Sequence, residues 1–398
     1  MKENLEMLKE GRMKKNKHYI ILGLIATMLF ASTIYAAPDY VGEYFDGLNP
    51  STHIYGHDER KNTLPKDRIA FSDIDAYVHL FNPDILSNWN NWSNNKSAND
   101  VYEDYMNAAD NLYASADSSD SDLQSGMAYA QADAMMIQAD KSVSDSYVDF
   151  LTNYLTEKQL ILSTKILDIQ YHKSVYDELS ARASYEEALR KENSADNALK
   201  YGSGTQVELL NAKKNVADAK ANVVNSESAT KTYKRNLLIN CGMAYDANIH
   251  IEELDLREGF DINSINLDND YQHALAHNVQ YEIYKRKLNN ARTEEVRKEY
   301  EILINAAPQK IYNDLETKYS TLLDVLETKY NREVAYNLAL SNYSKAKNEY
   351  TNGSISEKEY KTTETNVTLA LYNLAAVKYD FLEALENYES SVKGYGNC

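Results

Sequence analysis

The sequence predicts a mainly α protein: two tandem repeats of very long antiparallel coiled-coil helical hairpins, joined by a short connector with one or two small strands. Three observations predict it. Punctuation is sparse, with 13 Gly and 5 Pro in 398 residues, so long unbroken elements are expected. One helix-stop, helix-start signal is written twice: Gly202-Ser203-Gly204-Thr205-Gln206-Val207-Glu208-Leu209 has its counterpart 151 positions on in Gly353-Ser354-Ile355-Ser356-Glu357-Lys358-Glu359-Tyr360. In each copy a glycine ends one helix, because it enters the left-handed region without a Cβ penalty; Thr205 or Ser356 caps the next, and Glu208 or Glu359 completes a capping box. After each signal, apolar and small residues recur at alternating spacings of 3 and 4: Leu209, Ala212, Val216 and Ala219 on to Leu237, and Tyr360, Thr363, Val367 and Ala370 on to Tyr388. That is a left-handed coiled-coil seam, and its many Ala, Ser and Thr suit a wall of closely approaching helices rather than one thick core.

The elements follow in order. Residues 1–37 read as a signal peptide or an N-terminal anchor, with a basic stretch at 12–17 and an apolar run at 19–36 before Pro38. Residues 38–71, with Pro38, Pro65 and several glycines, read as a tether. The first hairpin repeat, 72–242, opens with a short helix at 72–81 that runs into Asn82-Pro83-Asp84-Ile85. A polar Asn/Ser/Asp-rich stretch follows at 87–125, helical at 99–116, and then a single helix over 122–201, roughly 120 Å long at ~1.5 Å per residue. The return helix spans 205–241. A connector at 243–266 carries a short strand within 249–256. The second repeat, 267–394, has a cognate short helix at 267–278, a helix over 268–304, a turn at Asn305-Ala306-Ala307-Pro308 and a further helix to Asn352, and 395–398 form a tail. Asn82 precedes Gly202 by 120 residues and Asn278 precedes Gly353 by 75, so the first repeat holds 45 extra.

These features resemble the outer membrane efflux protein family, the TolC-like export ducts. The family's early Asn-Pro-acidic-aliphatic element is matched by Asn82-Pro83-Asp84-Ile85. Its Gly, Ser or Thr three residues on, acid six on and apolar residue seven on are matched by Gly202, Thr205, Glu208 and Leu209, and by Gly353, Ser356, Glu359 and Tyr360. Ala219 and Ala370 fit its small residue on the return helix, and the match covers residues 72–394. The resemblance implies a homotrimer whose six hairpins curve into an α-helical barrel, with a periplasmic-adaptor-like (membrane fusion) protein and an inner-membrane transporter as partners. It further implies that Gly202, Ser203, Gly204, Thr205 and Gln206, with Gly353, Ser354, Ile355, Ser356 and Glu357, form the adaptor-docking entrance, and that Glu208 and Glu359 are candidate constriction residues. The chain departs from the family where each repeat should insert a β-hairpin for the membrane barrel. Residues 301–308 are too short for two spanning strands of about ten residues. The extra residues of the first repeat lack apolar alternation. A relative without the barrel strands is expected, with the turn ends of the repeats kept and the opposite ends diverged.

Charge and motif content narrow the function further. The formal charge is −18, and residues 1–36 carry a net +3 whose removal leaves −21, which excludes nucleic-acid binding by net attraction. No phosphate loop, nucleophile elbow or dinucleotide fingerprint occurs, so neither an enzyme nor a cofactor is expected. His273 and His277 share a helix face but no third ligand is spaced to join them, and no metal is expected. Cys241 and Cys398 each follow a return helix and either pair in an oxidising compartment or stand as unrelated thiols. The function expected is a passive export duct or docking cylinder in the cell envelope; the alternative is an envelope spacer or adhesive stalk without a lumen.

Overall fold

In a computed structural model of the chain, the structure describes Leu48, His53 and residues 60–398 other than 95–97, 120 and 143–145. The leader expected at 1–37 and most of the tether at 38–71 lie outside the described residues. The first repeat comprises α1 (Ile74–Phe81), α2 (Pro83–Asn94), α3 (Ala98–Asp117), α4 (Asp122–Ser142), α5 (Ser146–Lys200) and α6 (Gln206–Asn240). The second comprises α7 (Leu267–His277), α8 (Val279–Asn290), α9 (Glu294–Thr351) and α10 (Glu357–Ser390), closed by a turn of π-helix at Ser391–Tyr395. Among the described residues the only strands are β1 (Arg68–Ile69) and β2 (His250–Ile251), which pair in parallel with Arg68 opposite His250 and Ile69 opposite Ile251. They stitch the connector to the segment before α1.

The four long helices lie side by side in the order α6, α5, α10, α9. The seams explain the order. On α6 the seam positions Leu209, Ala212, Val216, Ala219, Val223, Ser226, Thr230, Tyr233 and Leu237 are all shielded, while most residues between them are exposed. A single stripe serves a helix with one neighbour. The second half of α10 is buried on two faces, since it packs on α9 and on α5. One core cluster, Ile169, Leu254, Tyr379 and Leu382, joins α5, the connector and α10; a second, Leu322, Phe381, Ala384 and Leu385, joins α9 and α10. Charged pairs fix the register between the repeats, with Lys173 Nζ donating to Asp380 Oδ1 at 2.5 Å and Lys165 Nζ to Glu386 Oε2 at 3.4 Å.

Two expectations are corrected. Of the single helix expected over 122–201, residues 143–145 lie outside the described residues; on one side of them α4 packs on α3, and on the other α5 begins with Val148, Phe150 and Leu151 buried and packs on α1 and α2. Asp140 near the end of α4 accepts hydrogen bonds from Arg292 N (2.9 Å), Thr293 N (2.6 Å) and Thr293 Oγ1 (2.7 Å), tying α4 to the start of α9. In the second repeat the helix expected over 268–304 breaks at Asn278 and at 291–293, and the turn expected at 305–308 is helical, with Pro308 inside α9. The ~3 kcal/mol penalty of an interior proline is offset by the burial of Ala307, Ile311 and Leu315 on one face.

The second correction concerns the ends opposite the hairpin turns, which also keep a duplicated device. Asn82 Oδ1 accepts from Asp84 N (3.0 Å) and Ile85 N (3.2 Å), capping α2, while its Nδ2 donates to Asn240 O (2.9 Å) at the end of α6. Asn278 Oδ1 likewise accepts from Tyr281 N (2.9 Å), capping α8, and its Nδ2 donates to Gly396 O (3.3 Å). Beside each asparagine a left-handed glycine lies against the preceding helix end. A Cβ on Gly242 (φ +71) would fall 2.1 Å from Phe81 O, and one on Gly394 (φ +86) 1.9 Å from His277 O. What diverged lies between: the 45 extra residues of the first repeat hold the helical hairpin α3–α4, and the second repeat has only residues 291–293 at that place. Tyr113 Oη donates to Asp133 Oδ1 (2.6 Å) across that hairpin.

Both cysteines are free thiols: Cys241 is buried beside Phe81, and Cys398 lies among Tyr281, Tyr284 and Lys310. Burial pushes the Cys241 thiol up to about 12. The chain prepared without reductant should therefore release two thiols on denaturation, with Cys241 inert to iodoacetamide at pH 8 while folded; a thiol count of zero would mean a disulfide. Gly242→Ala and Gly394→Ala should each cost about 2 kcal/mol or more in urea unfolding, since strain and overlap act together. Gly126→Ala, in α4 with nothing within 4 Å of the added methyl, should gain about 0.5–1 kcal/mol.

Candidate functional site

The residues singled out by the sequence assemble at the two hairpin turns. At these turns α5 and α9 each end in a Schellman motif: Ser203 N donates to Ala198 O (2.9 Å) and Gly202 N to Leu199 O (3.1 Å), and in the second repeat Ser354 N donates to Glu349 O (2.7 Å) and Gly353 N to Tyr350 O (2.9 Å). Gly202 and Gly353 take φ of 74° and 72°. The return helices start on the two expected capping boxes. Glu208 N donates to Thr205 Oγ1 (3.2 Å) and Thr205 N to Glu208 Oε2 (2.7 Å); Glu359 N donates to Ser356 Oγ (3.3 Å) and Ser356 N to Glu359 Oε2 (2.8 Å). Ser203, Gln206, Ser354 and Glu357 are exposed, and Gly204 and Ile355 are partly shielded. Gly204 is held close because its backbone nitrogen also donates to Ala198 O at 2.9 Å.

The backbone N–H of Thr205 and that of Ser356 hold the Glu208 and Glu359 carboxyls below the usual carboxylate range. Both carboxylates are thus occupied as caps. Behind the second turn stands an aromatic stack the sequence did not reveal: Tyr350 and Tyr360 lie face to face with centroids 4.9 Å apart, and Tyr343 Oη meets Tyr360 Oη at 2.9 Å. That hydrogen bond raises the Tyr360 phenol to about 12. The signal was present, since Tyr360 opens the seam and Tyr350 stands three residues before Gly353. The first repeat has Leu209 and Leu199 at the matching positions, so the two turns differ chemically.

Between the repeats, α5 and α10 border a cleft of about 270 Å³ near the turns, lined by Glu187, Arg190, Lys191, Glu357, Lys358 and Lys361 among others. Arg190 bonds Glu187 (2.7 Å) and reaches Thr365, and Thr362 Oγ1 donates to Glu187 Oε1 (3.2 Å). His273 and His277, read from sequence as ordinary helix-face residues, stack with centroids 3.9 Å apart, and their Nδ1 atoms meet the backbone carbonyls of Val392 (2.9 Å) and His273 (2.7 Å).

The arrangement has solved counterparts. The chain matches the CmeC outer membrane channel of Campylobacter jejuni with a TM-score of 0.50 at 12% identity, over 68% of this chain and 69% of that one. It matches CusC, studied for the conformational changes that accompany folding and transmembrane channel formation, with a TM-score of 0.52 at 8% identity, over 81% and 92% of the two chains. No protein-family model and no curated protein matches the sequence. The fold is that of TolC-like outer membrane channels, with two short strands among the described residues. Among the described residues no helix is long and apolar enough to cross a membrane.

A carboxyl held below its usual range stabilises above that range and loses its contribution as pH falls through the lowered value. Thr205→Ala and Ser356→Ala should each cost about 1 kcal/mol. The melting temperature of a Glu208→Gln, Glu359→Gln double variant should lie below wild type at pH 7, and the gap should close on acidification below the ordinary carboxylate range; a gap independent of pH would rule out the charged caps.

Proposed function

We propose that this chain is a wall element of an oligomeric export duct in the cell envelope, a homotrimer whose turn end docks an adaptor and, through it, an inner-membrane pump. The observation that carries the reading is the sheet-like order of the long helices, which leaves α6 and α9 as edges with one buried stripe each. A wall with two open edges closes by pairing α9 of one copy with α6 of the next, and a closed ring follows from repeating one heterologous contact. Apolar side chains left outside the single chain support this: Val207, Leu210 and Val224 on α6, and Val334 and Leu338 on α9, are each at least 49% exposed. Charge supports it too. Helix α6 carries six Lys or Arg against three Asp or Glu, whereas α9 carries ten acids against eight bases.

The reading is non-enzymatic. The exposed turns offer backbone and hydroxyl groups to a helical partner, and small shifts of the seam helices there would widen or narrow the mouth. The positions proposed for docking are Gly202 to Gln206 and Gly353 to Glu357, with Glu208 and Glu359 just inside them as acidic groups at the constriction. The domain limits read from the sequence are kept in this proposal, with the two repeats as the wall and residues 243–266 as the connector.

The purified mature chain should run as a trimer by light scattering, and Val224→Glu with Leu338→Glu should dissociate it without loss of helicity by circular dichroism. A wild-type monomer or dimer would overturn the duct and favour a stalk. Gly353→Trp with Ser356→Trp should lower export of a tracer substrate and binding of the adaptor; both unchanged would remove the docking role.

A further inference from the structure

Glu157 of α5 is a carboxylate only 1% exposed, set among His53, His79 and Trp89. One oxygen, Oε2, receives all three: His53 Nε2 at 3.3 Å, His79 Nδ1 at 3.1 Å and Trp89 Nε1 at 2.7 Å. The indole can only donate, and a carboxylate oxygen has two lone pairs, so three nitrogens crowd one oxygen. Aromatic rings surround the cluster, with the Lys158 ammonium over the Tyr154 ring at 5.0 Å. The His53 ring contacts those of Trp89, Phe150 and Tyr154 at centroid distances of 5.3, 6.0 and 5.0 Å. In such a medium a carboxylate must be compensated by positive charge close at hand.

The ligand atoms of His53, His79 and Glu157 all lie within 4.8 Å of one another. Donors bound to Zn²⁺ at about 2.0–2.2 Å in a tetrahedron stand roughly 3.4 Å apart. Two of the three pairs here, at 3.1 and 3.3 Å, already have that spacing.

We propose that His53 Nε2, His79 Nδ1 and the Glu157 carboxylate form a binding site for a divalent first-row transition ion, of which Zn²⁺ fits best. Two imidazoles and one carboxylate are a borderline donor set suited to Zn²⁺, whereas Ca²⁺ and Mg²⁺ require six or more oxygens. The ion replaces imidazole protons in the crowd on Oε2, and Trp89 Nε1 remains as the outer partner that orients the carboxylate. The three ligands come from the segment before α1, from α1 and from α5. The ion therefore pins the chain that leads into the wall to the longest helix of the first repeat. Among the described residues the second repeat has no such cluster; there α7 is held by His273 Nδ1 at Val392 O and by Tyr388 Oη at Asp270 Oδ2, beside the Asn278 and Gly394 contacts.

The test uses the full chain, freed of metal by chelator dialysis and titrated with ZnCl₂ against a chromophoric competitor. One ion per chain is expected, with a rise in melting temperature, and Co²⁺ in place of Zn²⁺ should give the intense visible bands of a tetrahedral site. His53→Ala and His79→Ala should each weaken binding by more than about 100-fold, because even outer partners of a metal cost roughly 10–100-fold. His273→Ala with His277→Ala should leave it unchanged. If His79→Ala fails to fold, His53→Ala, at a side chain 10% exposed, and the wild-type Co²⁺ spectrum carry the test. No Zn²⁺ bound by the folded wild type, or equal binding by a His53→Ala, His79→Ala double variant, would overturn the proposal.

Discussion

A helix of 55 residues is a rod roughly 80 Å long with no interior of its own. Its length forces a lateral solution: it stays folded along that length where a neighbour of similar length runs beside it, and α6 and α10 are the neighbours of α5. The seam between such rods must be thin, because a large side chain at each crossing would splay the far ends. Alanine, serine and threonine at the 3 and 4 spacing keep the axes close, while polar pairs such as Lys173–Asp380 set the axial register that small residues cannot define. The four long helices accordingly form a wall whose shielded residues are spread along lines rather than gathered in a centre.

Lines of weak contact need firm ends, and both ends of each hairpin are fixed by backbone hydrogen bonds. At one end the Schellman glycines and capping boxes reverse the chain within a few residues. At the other, Asn82 and Asn278 each join a helix start to the end of a return helix, with Gly242 and Gly394 pressed against a carbonyl. The ends are chemically conservative and the middle is permissive. An inserted helical hairpin in one repeat and a three-residue link in the other are both accommodated.

Much of this was legible in the sequence because it is local. A glycine, a hydroxyl three residues on and an acid six on specify the turn within a span of seven residues, and the seam repeats often enough to average out exceptions. The breaks at Asn278 and at 291–293 were not legible, since they depend on carbonyls and carboxylates brought from far along the chain: Gly396 O, and Asp140 from the other repeat. Pro308 misled in the opposite direction, because its local preference is overridden by the buried face of Ala307, Ile311 and Leu315. The meeting of His53, His79 and Glu157 had no spacing to betray it, as His53 and Glu157 are 104 residues apart. The histidines that did have a suggestive spacing, His273 and His277, end on backbone carbonyls.

The hairpin α3–α4 occurs in one repeat only, while the turns occur in both. In any closed ring of n chains, the turn end then presents 2n nearly equivalent positions and the opposite end n protrusions. The two rims differ in rotational order by a factor of two. A protein that caps the turn rim with doubled periodicity could not dock in the same way on the other rim. In such a ring the Tyr343, Tyr350 and Tyr360 stack would stand behind alternate turns and would mark one turn from the next.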